Sequence, residues 1–439
     1  MQEVLKNNYI NNFLKQVIFN ILSMIGISLY VLADTFFVAN GIGNEGLAAL
    51  NISIPIFSFL NGIGLLIGMG GAIQYSIYKE NIKKTNRIFN NSLIFSLLAS
   101  IVFTLLGVFF SEDLSRILGA NEVIKDMSST YIKIILSFSS FFIFNNVFIC
   151  FIRNDNKPKL AMFAMLSGSI LNIFLDYYFI FILDLGIRGA AIATVFSPLF
   201  SILIIFKYIL KNFKILKLYN LDFSIFRKTV HLGITYFLNE FSSGIIIILF
   251  NLIIMNLMGN IGVAAYGIIA NVALVVMAIF TGLSQGIQPV ISENYGMDLK
   301  NNVKILLIIA LMIALILGII IYGFVFIYSK EIVNLFNKES NFMMFEIANT
   351  GLKIYFVGFL FMGINFVIAS FFSSVNMSKP SFIISFSRGF LFIIPFLLIL
   401  SYFYGIKGVW ATVPAAESIT FIISYIFIIK HKKSNIKKY

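Results

Sequence analysis

Residues 43–49 read GNEGLAA, and residues 259–265 read GNIGVAA. Gly, Asn, Gly, Ala and Ala return at the same relative positions, from 43 to 259, a shift of 216. A period this long exceeds any solenoid unit. It points to two copies of one half-protein in tandem. The echo continues downstream. Gly64-Leu65 and Gly68 meet Gly282-Leu283 and Gly286. Thr130, Lys133 and Ile134 meet Thr350, Lys353 and Ile354, and Asn145 falls on Asn365. Pro158 and Pro380, each beside a lysine, open hydrophobic runs. The loop Gly186-Ile187-Arg188-Gly189 returns as Gly405-Ile406-Lys407-Gly408. Ordered matches at a near-constant shift argue against chance likeness between apolar segments. The halves are expected to be residues 1–217 and 218–439.

The chain is 59% hydrophobic and 12% charged, with a mean hydropathy of +0.95. Soluble domains are about a quarter charged, so this composition requires a polytopic membrane protein. Runs near the spanning length of about 20 residues fall at 12–38, 46–77, 88–110, 127–152, 159–183, 190–212, 230–257, 262–290, 303–328, 350–374, 381–404 and 408–429. The expected fold is all-α, with 12 transmembrane helices in two sets of six. The segments lack the short apolar/polar alternation of a membrane β-barrel. The first run is too long for a signal-peptide core and reads as a retained helix. The single cysteine, Cys150, lies in an apolar run and reads as a packing residue.

A net charge of +13 admits nucleic acid as a partner, but the positions of the charges argue against it. Lys79, Lys83, Lys84 and Arg87 follow the second span, and Arg153, Lys157 and Lys159 follow the fourth. Lys207, Lys211, Lys214, Lys217, Arg227 and Lys228 join the halves, and Lys430, Lys432, Lys433, Lys437 and Lys438 close the chain. The alternate loops are poorer, with Arg116, Lys125, Arg188, Lys330, Lys338 and Lys407. This is the positive-inside pattern. It places both termini and the central linker in the cytoplasm of a cell whose plasma (inner) membrane holds the chain. Six spans per half start both halves on one side, so the repeats are parallel. A substrate path is expected between them.

Ionisable groups within spans are costly and mark function. Asp34 lies late in span one, Asn172 and Asp176 late in span five, and Thr194 early in span six. Asn172 and Asp176 share a helix face. The direction of each span through the bilayer puts all four in the outer half, at one depth. Such oxygens suit a hard cation, and two close carboxylates share a proton readily. The plainer alternative is two separate interfacial carboxylates. The second half carries Glu240 in span seven, Arg388 in span eleven and Glu417 in span twelve. Arg388 and Glu417 form either a structural pair or part of the substrate path. Glu240 has no local partner and is a candidate proton carrier or counter-ion to a cation. Asn145, Asn239, Asn365 and Gln285 read by default as helix-to-helix hydrogen-bonding residues. The glycines at 62, 64, 68, 70 and 71 lack a phosphate-loop ending and read as close packing. Span one has no proline, so Gly26 is its candidate bend. No Walker motif or HExxH occurs, so no enzyme or resident cofactor is expected and an ion gradient or a partner must supply the energy.

Ala33-Asp34-Thr35-Phe36-Phe37-Val38, the following Gly43–Ala49 motif, the glycine-rich second span into Tyr78-Lys79-Glu80, and Lys379–Arg388 with Gly405–Trp410 resemble the multidrug and toxic compound extrusion (MATE) transporters. The resemblance spans essentially the whole chain. It implies two six-helix bundles forming a V-shaped cleft, and export of drugs against inward Na⁺ or H⁺ flow. It implies that Asp34, Asn172, Asp176 and Thr194, with the Ala190 carbonyl, hold the ion. It places the family's helix-seven acid on Glu240. Span ten has no acid, which leaves the carboxyl-lobe Na⁺ site of some members incomplete. The expected function is a cation-coupled antiporter of hydrophobic organic cations, acting as a monomer in the bilayer. Rival readings are a lipid-linked precursor flippase of the same superfamily and a non-transporting scaffold or receptor.

Overall fold

The computed structural model of the protein describes residues 2–214, 221–337 and 341–436. Lys217, Lys338, Lys437, Lys438 and the expected boundary at 217–218 lie outside the described residues. Twelve membrane helices follow one another. They are α1 (Gln2–Gly41), α2 (Asn44–Ile77), α3 (Ile82–Ile117), α4 (Lys125–Ser137 continuing as Ser139–Asn154, bent by 50°), α5 (Pro158–Ile182) and α6 (Gly186–Asn212). The stretch Phe223–Gly296 is broken at Gly259 into α7 and α8. α9 (Lys300–Ile327) and α10 (Phe342–Ser374) follow, and Ser378–Lys432 is broken at Gly405 into α11 and α12. A short helix, Ser329–Phe336, lies between α9 and α10.

The repeat read in the sequence is written in the backbone. Gly43 and Gly259 open the two GNxGxAA motifs with φ of +90° and +60°. Gly186 and Gly405 open the two GI[RK]G motifs with φ of +53° and +56°. Only glycine enters this region without strain, which is why these loops kept their sequence while the helices drifted. Asn156 and Asn376, at the α4–α5 and α10–α11 corners, share φ of +59° and +61°; asparagine is among the few other residues that tolerate it.

Two apolar cores form, one per bundle, and each takes in a helix end from the other. Phe13 and Val17 of α1 pack in the second core, while Ile225, Leu232 and Tyr236 of α7 pack in the first. Glycines permit this exchange. A Cβ on Gly70 of α2 would lie 2.0 Å from the Thr229 carbonyl of α7, and one on Gly282 of α8 would lie 2.6 Å from Ile21 Cα of α1. The first helix of each half thus lies against the second helix of the other, and both contacts sit at the end carrying the basic loops. Gly26 does not bend α1, which runs unbroken. A Cβ there would meet the Leu166 side chain of α5 at 2.1 Å, so its role is close approach. Pro55, Pro198, Pro289 and Pro414 lie inside unbroken helical stretches, whereas non-helical backbone falls at Phe110, Gly259 and Gly405.

Candidate functional site

Three helices bring the first set of polar residues together. Asp34 is on α1, Asn172 and Asp176 on α5, Ala190 and Thr194 on α6, and all five are buried. Small residues set the spacing. Gly26 lets α1 approach α5, and Gly168 lets α5 approach α6, where a Cβ would fall 2.6 Å from the Ser197 carbonyl. Thr194 Oγ1 donates to the Ala190 carbonyl at 3.0 Å. With its amide O and N assigned by hydrogen bonding, Asn172 donates to Asp176 Oδ2 at 3.1 Å and accepts from the Thr194 N–H at 3.3 Å. Asp34 and Asp176 feel each other's charge. Asp34 Oδ1 and Asp176 Oδ1 are buried without a hydrogen-bond partner. A buried carboxylate oxygen left this way costs several kcal/mol in order of magnitude, so a proton or a cation is the species that relieves it.

Two tyrosines complete this region and escaped the sequence reading. Tyr30 lies near Asp34, Asp176 and Glu240. Tyr131 of α4 is buried and lies near Thr194 and both aspartates. The signal for Tyr30 was present: it precedes Asp34 by one helical turn. Tyr131 comes from another helix with no local motif. Among the described residues, no three Asp, Glu, His or Cys side chains converge on one point, so the oxygen set is two carboxylates with neutral donors.

The second set divides. Arg388 Nη2 and Nε donate to Glu417 Oε1 at 2.7 and 3.1 Å, and the pair is almost wholly buried. Asn365 Nδ2 donates to Glu417 Oε2 at 2.8 Å and to its carbonyl at 2.9 Å. Ser424 Oγ donates to Asn365 Oδ1 at 3.0 Å. Arg388 Nη1 reaches Asn239 Oδ1 at 3.4 Å, and the guanidinium sits 4.0 Å from the Phe366 ring centre. Arg388 lies in a widened π-turn, Ser387–Leu391, of the kind frequent at functional sites. Glu240 stands apart from this pair. It is half-buried and, among the described residues, joins no ion pair. Across the bundle boundary it lies near Tyr30. An apolar cavity of about 500 Å³ also lies on this boundary, lined by Pro55, Phe59, Phe103, Phe241, Ile245 and Leu249 among others.

At the basic end the bundles are tied by polar contacts. Arg153, read in the sequence as a loop cation, is buried and donates to Gln285 at 2.6 Å. Asn154 and Gln288 exchange two hydrogen bonds at 3.0 Å. Lys79 pairs with Glu293 at 2.9 Å, and Gln74 donates to Thr229 Oγ1 at 2.9 Å. Two bundles closed at one end, with polar groups buried along the other half, describe a membrane transporter.

The chain belongs to the MatE family, whose model matches twice, over residues 20–178 and 235–399, once in each repeat. Curated relatives match nearly end to end. The multidrug export protein MepA of Staphylococcus saprophyticus is 25% identical over 424 residues, 93% of this chain and 92% of that protein. MepA of Staphylococcus aureus strain MRSA252 is 26% identical over 419 residues, with the same coverage. Among solved structures, an outward-facing multidrug-resistance MATE transporter of the MOP superfamily aligns with a TM-score of 0.89 at 22% identity, over 98% of this chain and 96% of that one. A MOP superfamily transporter from Pyrococcus furiosus, described as having a binding pocket of reversed polarity, gives the same TM-score and identity over the same shares. The expected fold, two six-helix bundles around a cleft, is the fold of these structures.

Proposed function

We propose that the chain exports small hydrophobic organic cations in exchange for Na⁺ or H⁺. The observation that carries this reading is the pair of buried carboxylate oxygens, on Asp34 and Asp176, without protein partners. The ion occupies Asp34, Asn172, Asp176 and Thr194 with the Ala190 carbonyl. Ion entry displaces the Thr194 hydroxyl from Ala190 and relieves the two carboxylates. The cargo takes the apolar cavity and uses Glu240 as counter-ion. Tyr30 lies near both Glu240 and the two aspartates and is the residue through which the two sites would communicate. Coupling requires that ion and cargo favour different states of the cleft. The multidrug export names of the relatives support this cargo class. The acidic balance of the cleft supports it too, because Glu417 already neutralises Arg388. The basic loops support a plasma-membrane orientation with both termini cytoplasmic. The internal repeat supports a working monomer of two lobes, residues 1–217 and 218–439.

The test is dye efflux from proteoliposomes driven in turn by a Na⁺ pulse and an acid pulse. Wild type is expected to respond to at least one, and Asp34→Asn to neither. Full-rate, ion-driven efflux by Asp34→Asn overturns the mechanism.

A further inference from the structure

We propose that a basic pocket where α2, α3 and α7 meet binds the phosphodiester headgroup of an anionic membrane lipid. The pocket measures about 470 Å³ and is lined by Tyr78, Lys83, Lys84, Arg87, Asp222 and Lys228 with five neutral residues. Four cations face one carboxylate. That carboxylate is already in use: Asp222 Oδ2 pairs with Arg87 Nη2 at 3.0 Å, and Asp222 Oδ1 caps α7 through the Ser224 and Ile225 N–H groups. The three lysines have no acid partner among the described residues. Nearby Lys79 is committed to Glu293.

Tyr78 draws two of these lysines to one point. Lys84 Nζ lies 3.2 Å and Lys228 Nζ 4.9 Å from its ring centre, and Lys228 also donates to its hydroxyl at 3.0 Å. That hydrogen bond holds the Tyr78 phenol below its usual range. Two ammonium groups gathered on one ring repel each other, and an oxyanion between them removes the repulsion. The rim selects a lipid over a soluble anion. Ile82, Leu221 and Phe223 beside the cations are 70%, 57% and 78% exposed. Phosphate oxygens on the lysines with acyl chains on these residues satisfy both surfaces. Basic pockets between membrane helices on the cytoplasmic side suit such headgroups. Because Lys83 and Lys84 lie on α3 and Lys228 on the end of α7 that packs in the first core, an occupied pocket fastens that end of α7 to the first bundle.

The choice of inner leaflet rests on the orientation proposed above; binding itself does not. The experiment is native mass spectrometry of the full chain with added phosphatidylglycerol or phosphatidylcholine. Phosphatidylglycerol is expected to be retained preferentially. Lys83→Gln/Lys84→Gln/Lys228→Gln is expected to weaken retention about a hundredfold, taking about fivefold per lysine. Lys157→Gln/Lys159→Gln/Lys211→Gln, which removes the same charge elsewhere on the basic face, is expected to leave it unchanged. Should the triple pocket variant not fold, Lys84→Gln alone is expected to lose about fivefold. Equal retention of the two lipids, equal loss in the control variant, or competition by inorganic phosphate at the lipid's own concentration overturns the proposal. Retained lipid alongside absent ion-driven efflux removes the transport reading and leaves this one standing.

Discussion

The two bundles share a frame and differ in how they treat buried charge. In the second, Glu417 has Arg388 on one oxygen and Asn365 on the other, and Asn365 is itself held by Ser424. Every member of that network is satisfied. In the first, Asp34 and Asp176 each keep a buried oxygen with no protein partner. Their repeat-equivalents are apolar: with shifts of 216 to 219, Asp34 falls near Phe250, Asp176 near Pro395, and Glu417 near Pro198. The π-turns differ as well, one at Tyr178–Ile182 just after Asp176 and the other at Ser387–Leu391 around Arg388. Duplication preserved the joints, and charge was then placed independently in each copy. A closed network is rigid at any ion concentration, whereas an open one changes with its occupant. On the proposed mechanism the first bundle supplies the switch and the second its fixed counterpart.

This contrast breaks most sharply at the ion pair. Arg388→Met alone leaves Glu417 buried without its cation and is expected to lower stability by about 3–5 kcal/mol. Adding Glu417→Leu is expected to recover most of that loss, because removing both charges of a buried pair is often neutral. Thermal unfolding of the purified single and double variants measures it. A double variant no more stable than the single would show that the second bundle is not a self-contained network. Asp176→Asn is expected to behave in the opposite sense. It removes an uncompensated carboxylate, so the melting temperature holds or rises. Meanwhile the ion's effect on cargo affinity, expected to be about 5- to 150-fold, disappears from the ion dependence of cargo binding. A melting loss as large as that of Arg388→Met would place Asp176 in a structural role and erase the difference between the bundles.

Much of this was legible before any coordinates. The GNxGxAA and GI[RK]G motifs marked loops because a positive φ tolerates little but glycine, and such positions resist drift. Twelve apolar runs gave twelve helices because the bilayer fixes their length. The gathering of Asp34, Asn172, Asp176 and Thr194 was legible because charge is rare in spans and depth follows from counting; their role as an ion site is the proposal. The misses have physical reasons too. Arg153 read as a loop cation because a helix end at the membrane surface looks the same whether it faces water or a second bundle; only the packing of α4 against α8 buries it. Tyr131 joins the site from α4 with nothing local to announce it. Gly26 read as a bend because glycine weakens a helix, but at this position it serves a close helix crossing.

The smallest expected effect tests whether the shared frame works the same way in both copies. Gly70 presses α2 against α7, and Gly282 presses α8 against α1, so the same helix pairing recurs in both copies, although Gly282 answers in sequence to Gly64. The two contacts are not equally tolerant. A Cβ at position 70 meets the Thr229 carbonyl and backbone at 2.0–3.0 Å, while one at 282 starts at 2.6 Å. Neither neighbour is a flexible side-chain tip that can swing aside. Overpacking of this kind costs about 1–3 kcal/mol, with Gly70→Ala expected at the upper end and Gly282→Ala below it. The cost falls on the end where Lys79–Glu293 and Asn154–Gln288 hold the bundles together, so both variants shift the cleft toward opening there. The single cysteine reports it without further engineering. Cys150 is buried, touches the Gly68 face of α2 and lies near Tyr236 of α7, so a membrane-permeant thiol reagent is expected to label it faster in Gly70→Ala than in wild type. Gly282→Ala is expected to raise the rate less. Equal rates in all three proteins would mean that this end does not open as a unit, and that the repeated glycine contacts only assemble the fold.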